Sequence, residues 1–316
     1  MSTGRHPNHR ELASLPPELR RTTVPPAVRD WIARATGASV VRVDRLAGAS
    51  STAVHGLTLS DGARAVLRRY VWPGFLIDEP LAPVREVAAL RFAHARGLPV
   101  PEPIAADATG AAIGDGIPAL LMSFVRGRAI AEPDLHALAE VAATIHSIDA
   151  DALGHDYFPW YESYDLRPPA SSTWPELWET ADAHRRAARP PYEPRLIHRD
   201  FHPGNVLWSR GRATGVVDWA NGCRGPWGCD IAHCRANLVS LSGPDAADRF
   251  LAEYEALTGR RYDWFWEMAS ILEHDAEWWT PARLAESEPR LARAVSEITT
   301  LPRRPSRRRD RGAARP

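Results

Sequence analysis

Apolar and polar positions first fall into order at residues 26–36, where Val28, Trp31 and Ile32 recur at helical spacing ahead of Gly37. That pattern predicts a short helix with a glycine stop. From residue 40 to 71 the period shortens to two. Val40-Val41-Arg42-Val43, the run from Val54 to Leu59 and Ala65-Val66-Leu67-Arg68 read as strands, with Ser60-Asp61-Gly62 as a turn between the last two. The helical period returns over 83–96, carrying Val84, Val87, Ala88, Leu90 and Arg91 before Gly97. After the proline-broken stretch 99–103, Ala111-Ala112-Ile113 and the run 119–125 are expected to be two further strands.

Beyond Gly127 helical spacing takes over. Residues 133–148 place Leu135, Leu138, Ala139, Ala142 and Ile145 on one face, and 230–240, 245–258, 262–278 and 281–298 also read as helices. The aromatic stretch 157–178 holds four prolines and is expected to be irregular. A strand-rich first third followed by a helix-rich remainder indicates an α+β fold rather than an alternating βα sheet. The expected organisation is a flexible leader at 1–24, an N-terminal lobe at 25–125, a C-terminal lobe at 126–300 and a disordered tail at 301–316. No internal repeat is present.

Composition narrows the class. With 316 residues, 44% of them hydrophobic and 25% charged, the chain can bury one large core or two lobes, and wholesale disorder is excluded. Its formal charge of zero hides an uneven spread: residues 302–316 carry seven Arg and one Asp, leaving 32 Arg against 38 acids elsewhere. A negative body argues against nucleic acid as a partner and suits neutral or cationic small molecules. All 39 basic residues are Arg, so any site that ordinarily uses lysine must here use arginine. Cys223, Cys229 and Cys234 are odd in number, and their C-x5-C-x4-C spacing is no zinc pattern; a reducing cytoplasm is the expected compartment. The first 23 residues show no apolar signal core, and no run of 18 apolar residues exists, so no membrane partner is expected.

The chemistry concentrates in His198-Arg199-Asp200-Phe201-His202-Pro203-Gly204-Asn205-Val206-Leu207-Trp208 and in Gly215-Val216-Val217-Asp218-Trp219. Two apolar runs flank the turn Ser209-Arg210-Gly211-Arg212, as in a hairpin. Centred on Gly211-Arg212, that hairpin sets Asn205 opposite Asp218. Directly opposed side chains have Cβ atoms about 4.5–5.5 Å apart, close enough for two oxygen ligands to share one hard cation. Asp200 supplies a separate carboxylate. Singly, a His-x-Asp loop is a solvated turn and an Asn after Pro-Gly a turn residue; on both arms of one hairpin they form a strong signal. His198 and His202 suit bracing of the loop better than catalysis.

His198-x-Asp200-x4-Asn205 followed by Val217-Asp218-Trp219 resembles the aminoglycoside phosphotransferase family, which has a protein-kinase-like fold. The resemblance implies two lobes, an antiparallel-sheet N-lobe and a mainly helical C-lobe. It also implies ATP and Mg²⁺ as cofactors and a small hydroxylated molecule as substrate. Asp200 would be the catalytic group that orients the acceptor hydroxyl, and Asn205 and Asp218 would hold Mg²⁺. Asp230, in Gly228-Cys229-Asp230-Ile231-Ala232, and His198 would support the catalytic loop. In the first lobe, Gly48, Ser50 and Ser51 of the stretch Leu46 to Thr52 would cover phosphates. Arg68 stands at the place of the family's lysine, with Glu86 as its partner, and Arg69 is expected to face solvent. Backbone groups around Ser123 and Val125 would meet adenine.

Residues 250–288 hold nine acids against three Arg, with Trp264, Trp266, Trp278 and Trp279 among them. Glu273, Asp275, Glu277 and Trp278 are the candidate substrate contacts, through charge and cation–π interaction. Most of the remaining acids suit solvated helix faces. Tyr157, Phe158, Trp160 and Tyr161 either add a wall to that pocket or fill an irregular core. The leading reading is an ATP-dependent O-kinase for an aminoglycoside-like antibiotic, an amino alcohol, a hydroxylated amino acid or a sugar, serving resistance or metabolism. A catalytically idle kinase-fold binding protein and a metal hydrolase built on His198, Asp200, His202, Asp230 and His233 are the alternatives.

Overall fold

The computed structural model describes residues 23–46, 52–159, 166–187, 189–274 and 278–300. Two packed units divide the chain, one made of Met1–Phe158 with Pro194–Arg260, the other of Pro159–Glu193 with Arg261–Pro316.

In the first unit, strands β1 (Val40–Arg45), β2 (Ala53–Leu59), β3 (Arg64–Arg69), β4 (Pro103–Asp107) and β5 (Ala119–Ser123) form one antiparallel sheet in the order β1-β2-β3-β5-β4. Helix α1 (Pro26–Thr36) starts on Pro26 and closes on Gly37 at φ 74°, where the glycine N–H donates to the Ala33 carbonyl at 2.8 Å. Its Val28, Trp31 and Ile32 pack with Leu57, Leu59, Ala65, Leu67 and Leu121 into one core. Burying each such large apolar side chain is worth about 1.5–3 kcal/mol. Because side chains alternate along a strand, Ala65 and Leu67 of β3 enter this core while Arg68 emerges on the opposite face. There it meets Glu86 of α3 (Ala82–His94), which follows the short α2 (Pro73–Asp78).

Two details of this lobe differ from the sequence reading. Residues 111–113 are not a strand; they lie in a turn-rich excursion in which buried Asp107 accepts the Ile113 N–H at 2.9 Å. The strand is Pro103–Asp107 instead, at the sheet edge, where a proline lacking its N–H costs no ladder bond. Arg69 does not face solvent: it is buried and paired with Asp115 at 2.6 Å.

Past Gly127 come α4 (Leu135–His146), α5 (Pro175–Ala187), the antiparallel pairs β6 (Pro194–Ile197) with β9 (Cys223–Pro226) and β7 (Val206–Ser209) with β8 (Arg212–Val216), then α6 (Gly228–Ser242), α7 (Pro244–Thr258), α8 (Phe265–Leu272) and α9 (Pro281–Thr300). Asp134 caps α4 by accepting the Ala137 N–H at 2.9 Å. Helix α5 occupies part of the stretch expected to be irregular, and α8 is shorter than the predicted 262–278. In the second unit, buried Glu288 accepts from Trp178 Nε1 at 3.0 Å and from the Ser172 hydroxyl, tying α9 to α5. Glu267 of α8 takes Arg290 at 2.7 Å and the Tyr262 hydroxyl at 3.0 Å.

The segment after β5 is fastened to the β7–β8 hairpin. Arg128 N–H donates to the Trp208 carbonyl at 3.1 Å, and Thr214 Oγ1 donates to the Arg126 carbonyl at 2.6 Å. Gly127, at φ 146°, lies so close that a Cβ there would fall 2.5 Å from Thr214 Oγ1 and 3.0 Å from Leu207 Cβ. Gly127→Ala therefore combines an unfavourable backbone conformation with a steric overlap. It should cost about 1–3 kcal/mol, read as a lower urea midpoint; an unchanged midpoint contradicts this packing.

Candidate active site

A buried carboxylate organises the loop that carries the predicted chemistry. Asp230, in the first turn of α6, accepts the His198 N–H on Oδ2 at 2.7 Å and the Arg199 N–H on Oδ1 at 2.6 Å. Arg199 has φ 66°, a left-handed conformation costing an L-residue about 1–2 kcal/mol. Hydrogen bonds to a charged group are worth about 1.5–3 kcal/mol each, so Asp230 can hold the bend. His146 at the end of α4 contacts Asp230 Oδ2 through Nε2 at 3.1 Å. An ionised carboxylate only accepts, so that nitrogen carries hydrogen and Nδ1 accepts from the Tyr254 hydroxyl at 2.9 Å. Tyr254 in turn receives Arg260 Nη1 at 3.1 Å. Burial alone would push the Asp230 carboxyl up; the hydrogen bond from His146, with the loop N–H groups, outweighs it and holds the acid below its ordinary value. Burial likewise holds His146 below the usual imidazole value.

On that loop, His198 donates from Nε2 to the Val217 carbonyl at 2.9 Å and packs against buried Trp219, with ring centroids 4.6 Å apart. Its Nδ1 accepts the Asp200 N–H at 3.3 Å. One imidazole thus joins the catalytic loop to the strand end that bears Asp218. Asn205 turns its Nδ2 to the Asp200 carbonyl at 2.9 Å and to Asp200 Oδ2 at 3.0 Å. Two acceptors on that side identify it as the amide nitrogen, so Oδ1 points the other way. Asp200 Oδ1 lies 2.9 Å from His233 Nε2. Burial raises the Asp200 carboxyl, but the hydrogen bond from His233 brings it well below the carboxylate range.

The hairpin forms, with a shifted register. Ser209 pairs with Arg212 across Arg210 and Gly211, both at positive φ, and a bulge after Leu207 sets Val206 opposite Val216. Asn205 therefore faces Val217, whose N–H donates to its carbonyl at 2.9 Å, and not Asp218 as the simple register implied. Asp218 lies one residue further on, at φ 68°, where the chain turns away from the ladder. Aspartate tolerates this conformation better than most residues.

Arg68 reaches across to this turn. Its Nη1 lies 2.6 Å from Asp218 Oδ1 and 3.1 Å from Glu86 Oε1, and the Tyr70 hydroxyl donates to Glu86. Burial disfavours the charged guanidinium, but Asp218 and Glu86 raise the Arg68 value above its ordinary one, so the cation is secure. Glu86 is pushed upward by burial despite the pull of Arg68. Arg68 Nε is buried and has no hydrogen-bond partner among the described residues.

The other predicted residues divide. Gly48, Ser50 and Ser51 lie outside the described residues, as do Trp160, Tyr161, Asp275 and Glu277. Ser123 Oγ accepts the Glu102 N–H at 2.8 Å, and the Val125 side chain covers Gly215. Glu273 follows α8 in the second unit. Trp278 stacks on His274 at 4.7 Å and lies 3.6 Å beneath the Arg283 guanidinium. Two planar groups so near one ring cannot share a face, so the chain itself uses both faces of that indole. Tyr157 is buried and Phe158 exposed. Tyr70, His146 and Tyr254 were missed. A histidine at the end of an otherwise apolar helix face and a tyrosine two residues beyond Arg68 were the available signals.

The family model described as the phosphotransferase enzyme family matches residues 42–265. The chain belongs to this family. Among curated relatives, a homoserine kinase of Methylobacterium radiotolerans is 26% identical over 54% of this chain and 59% of its own length. One of Beijerinckia indica is 29% identical over 44% of this chain and 48% of its own. The matches thus span about half the length of these relatives. Aminoglycoside phosphotransferase APH(4)-Ia superposes with a TM-score of 0.60 at 15% identity, covering 86% of this chain and 98% of that one. The amicoumacin kinase hAmiN, solved with AMP-PNP, Ca²⁺ and Ami, gives 0.54 at 18% identity over 81% and 87%. The fold is therefore the α+β, protein-kinase-like fold of the family. No described helix is long and apolar enough to cross a membrane.

The Asp230 network carries a stability signature. Its folded acid value is depressed, so the folded protein binds fewer protons than the unfolded chain around the ordinary aspartate value of about 3.9. The stabilisation is complete above that pH and is lost as pH falls through it toward the folded value. Asp230→Asn should cost about 1–3 kcal/mol at pH 7 by leaving a loop N–H without its acceptor. It should also flatten the acid limb of urea midpoints; a wild-type midpoint and limb would rule the bracing out.

Proposed function

We propose that the protein is an ATP-dependent small-molecule O-kinase, moving the γ-phosphate to a hydroxyl of a molecule that also bears an amine. The observation that carries this reading is the division of labour at Asn205. Its amide nitrogen holds Asp200, and its oxygen, with the Asp218 carboxylate, makes an oxygen-only donor set suited to Mg²⁺. Bound there, Mg²⁺ would neutralise charge on the β- and γ-phosphates. Arg68, fixed by Glu86 with Nε unpartnered, is a cationic contact for the same phosphates.

In the proposed reaction Asp200 accepts a hydrogen bond from the acceptor hydroxyl and orients its oxygen in line with the γ-phosphorus. The new bond forms from that oxygen to phosphorus while the bond from phosphorus to the β–γ bridging oxygen breaks. The hydroxyl proton passes to Asp200 late and then to solvent, and ADP leaves with the bridging oxygen. A carboxyl held so acidic is a poor base in the ground state, which suits a loose transition state in which positioning dominates. Residues 25–125 would bind the nucleotide, with Gly48, Ser50 and Ser51 over the phosphates and backbone near Ser123 and Val125 at the adenine. Residues 126–300 would hold the acceptor.

The curated relatives support homoserine and other short hydroxylated amines as first acceptors, and hygromycin B, present with ADP in a structure of APH(4)-Ia, supports aminoglycosides as the second set. The test is mass spectrometry for one added phosphate across homoserine, amino alcohols, aminoglycosides and sugars with MgATP. Asp200→Asn should lower product formation by about 10²–10⁴-fold while leaving ATP affinity within about threefold. Equal turnover by Asp200→Asn would remove Asp200 from the mechanism.

A further inference from the structure

Two imidazoles gather at one oxygen of Asp200, and the gathering begins on α6. Asp230 and His233 are three residues apart on that helix and so share a face. Asp230 fixes the backbone of the catalytic loop; His233, one turn on, reaches its working carboxylate, with Nε2 2.9 Å from Asp200 Oδ1. His202 Nε2 approaches the same oxygen to 3.8 Å, and the two imidazole centroids are 5.8 Å apart. One ligand atom from each of Asp200, His202 and His233 lies within 4.8 Å of the others, a spacing a transition metal could also use. The orientation of His202 argues against a metal. Its Nδ1 accepts the Gly204 N–H at 3.1 Å, so the neutral ring carries its hydrogen on Nε2 and turns a donor, not a lone pair, toward Asp200.

The remaining question is what holds the carboxylate plane. The terminal torsion of an aspartate is broad, so a single hydrogen bond leaves it free to swing. Here Asn205 Nδ2 donates to Oδ2 at 3.0 Å, and only a contact on Oδ1 completes a clamp. We propose that His233 is a positioning residue for phosphoryl transfer, its Nε2–H fixing Asp200 Oδ1 so that the carboxylate presents one orientation to the acceptor hydroxyl. This rests on the reading of Asp200 as the acceptor-orienting group. His233 touches neither phosphate nor acceptor; it acts through Asp200.

The test compares His233→Leu with His233→Gln, whose amide nitrogen can reach the place of Nε2. In the phosphate-transfer assay, His233→Leu should lower kcat by roughly ten- to a hundredfold, as expected for a misplaced reacting group, with KM for ATP changed by less than about threefold. His233→Gln should recover most of that loss. Wild-type kcat in His233→Leu overturns the proposal, as does a Gln variant no better than Leu when both unfold at the wild-type midpoint. Zinc dialysed against the wild-type chain should leave no bound equivalent; one tight equivalent that His233→Leu abolishes would make His233 a metal ligand instead. Nitrogen-15 imidazole spectra read the clamp without any acceptor. His233 should be the Nε2–H tautomer in the wild type and a tautomer mixture in Asp200→Ala. An Nδ1–H ring contradicts the clamp. No transfer to any acceptor, with the Nε2–H spectrum intact, sinks the kinase reading and not the geometry.

Discussion

A carboxylate with no access to water, accepting two consecutive backbone N–H groups, fixes the geometry on which the rest of the site depends. Asp230 bends the chain at Arg199 into a left-handed conformation, and that bend directs His198 inward and Asp200 outward. His198 then secures the Val217 carbonyl, one residue before Asp218. Behind Asp230 the hydrogen bonds run in one sense, from Arg260 to Tyr254 to His146 to the carboxylate. Each donor polarises the next, so the buried negative charge is compensated in stages.

The second organising contact joins strand β3 to the Asp218 turn. A chain without lysine must use arginine where a phosphate-binding cation is needed, and a guanidinium differs from an ammonium by presenting a planar fork. Arg68 uses a single nitrogen for both Glu86 and Asp218. Its Nε is buried and has no hydrogen-bond partner among the described residues. The Tyr70 hydroxyl on Glu86 keeps that carboxylate in place, at the cost of a third polar group in the same buried cluster.

Much of this was legible in the sequence because short-range rules govern it. The period-two runs at 54–59 and 65–68, the glycine stop at Gly37 and the His198 to Asn205 spacing each follow from local geometry, and each is present in the fold. The expectation that failed at 111–113 did so because three small apolar residues carry no period, and the decisive feature was an aspartate side chain four residues upstream. The β7–β8 hairpin turns on Arg210-Gly211 and not on Gly211-Arg212, a choice the pattern of apolar positions leaves open. The bulge after Leu207 recovers only part of the shift, so the register was misjudged by one residue at the open end. Arg69 was misplaced for a different reason. Alternation put it on the core side, and only the distant Asp115 makes an arginine acceptable there. His146 and His233 act through helices that approach the loop in three dimensions, a relation no spacing along the chain expresses.

The central claim is that Asn205 and Asp218 form a metal–nucleotide site with Arg68 as its cationic partner. Calorimetric titration of ATP with and without Mg²⁺, into the wild type and into Asp218→Asn, tests it most directly. The account predicts that Mg²⁺ tightens ATP binding to the wild type by at least about tenfold, or roughly 1.4 kcal/mol, and that Asp218→Asn loses most of this gain. Equal metal dependence in the two proteins, or none in the wild type, would contradict it.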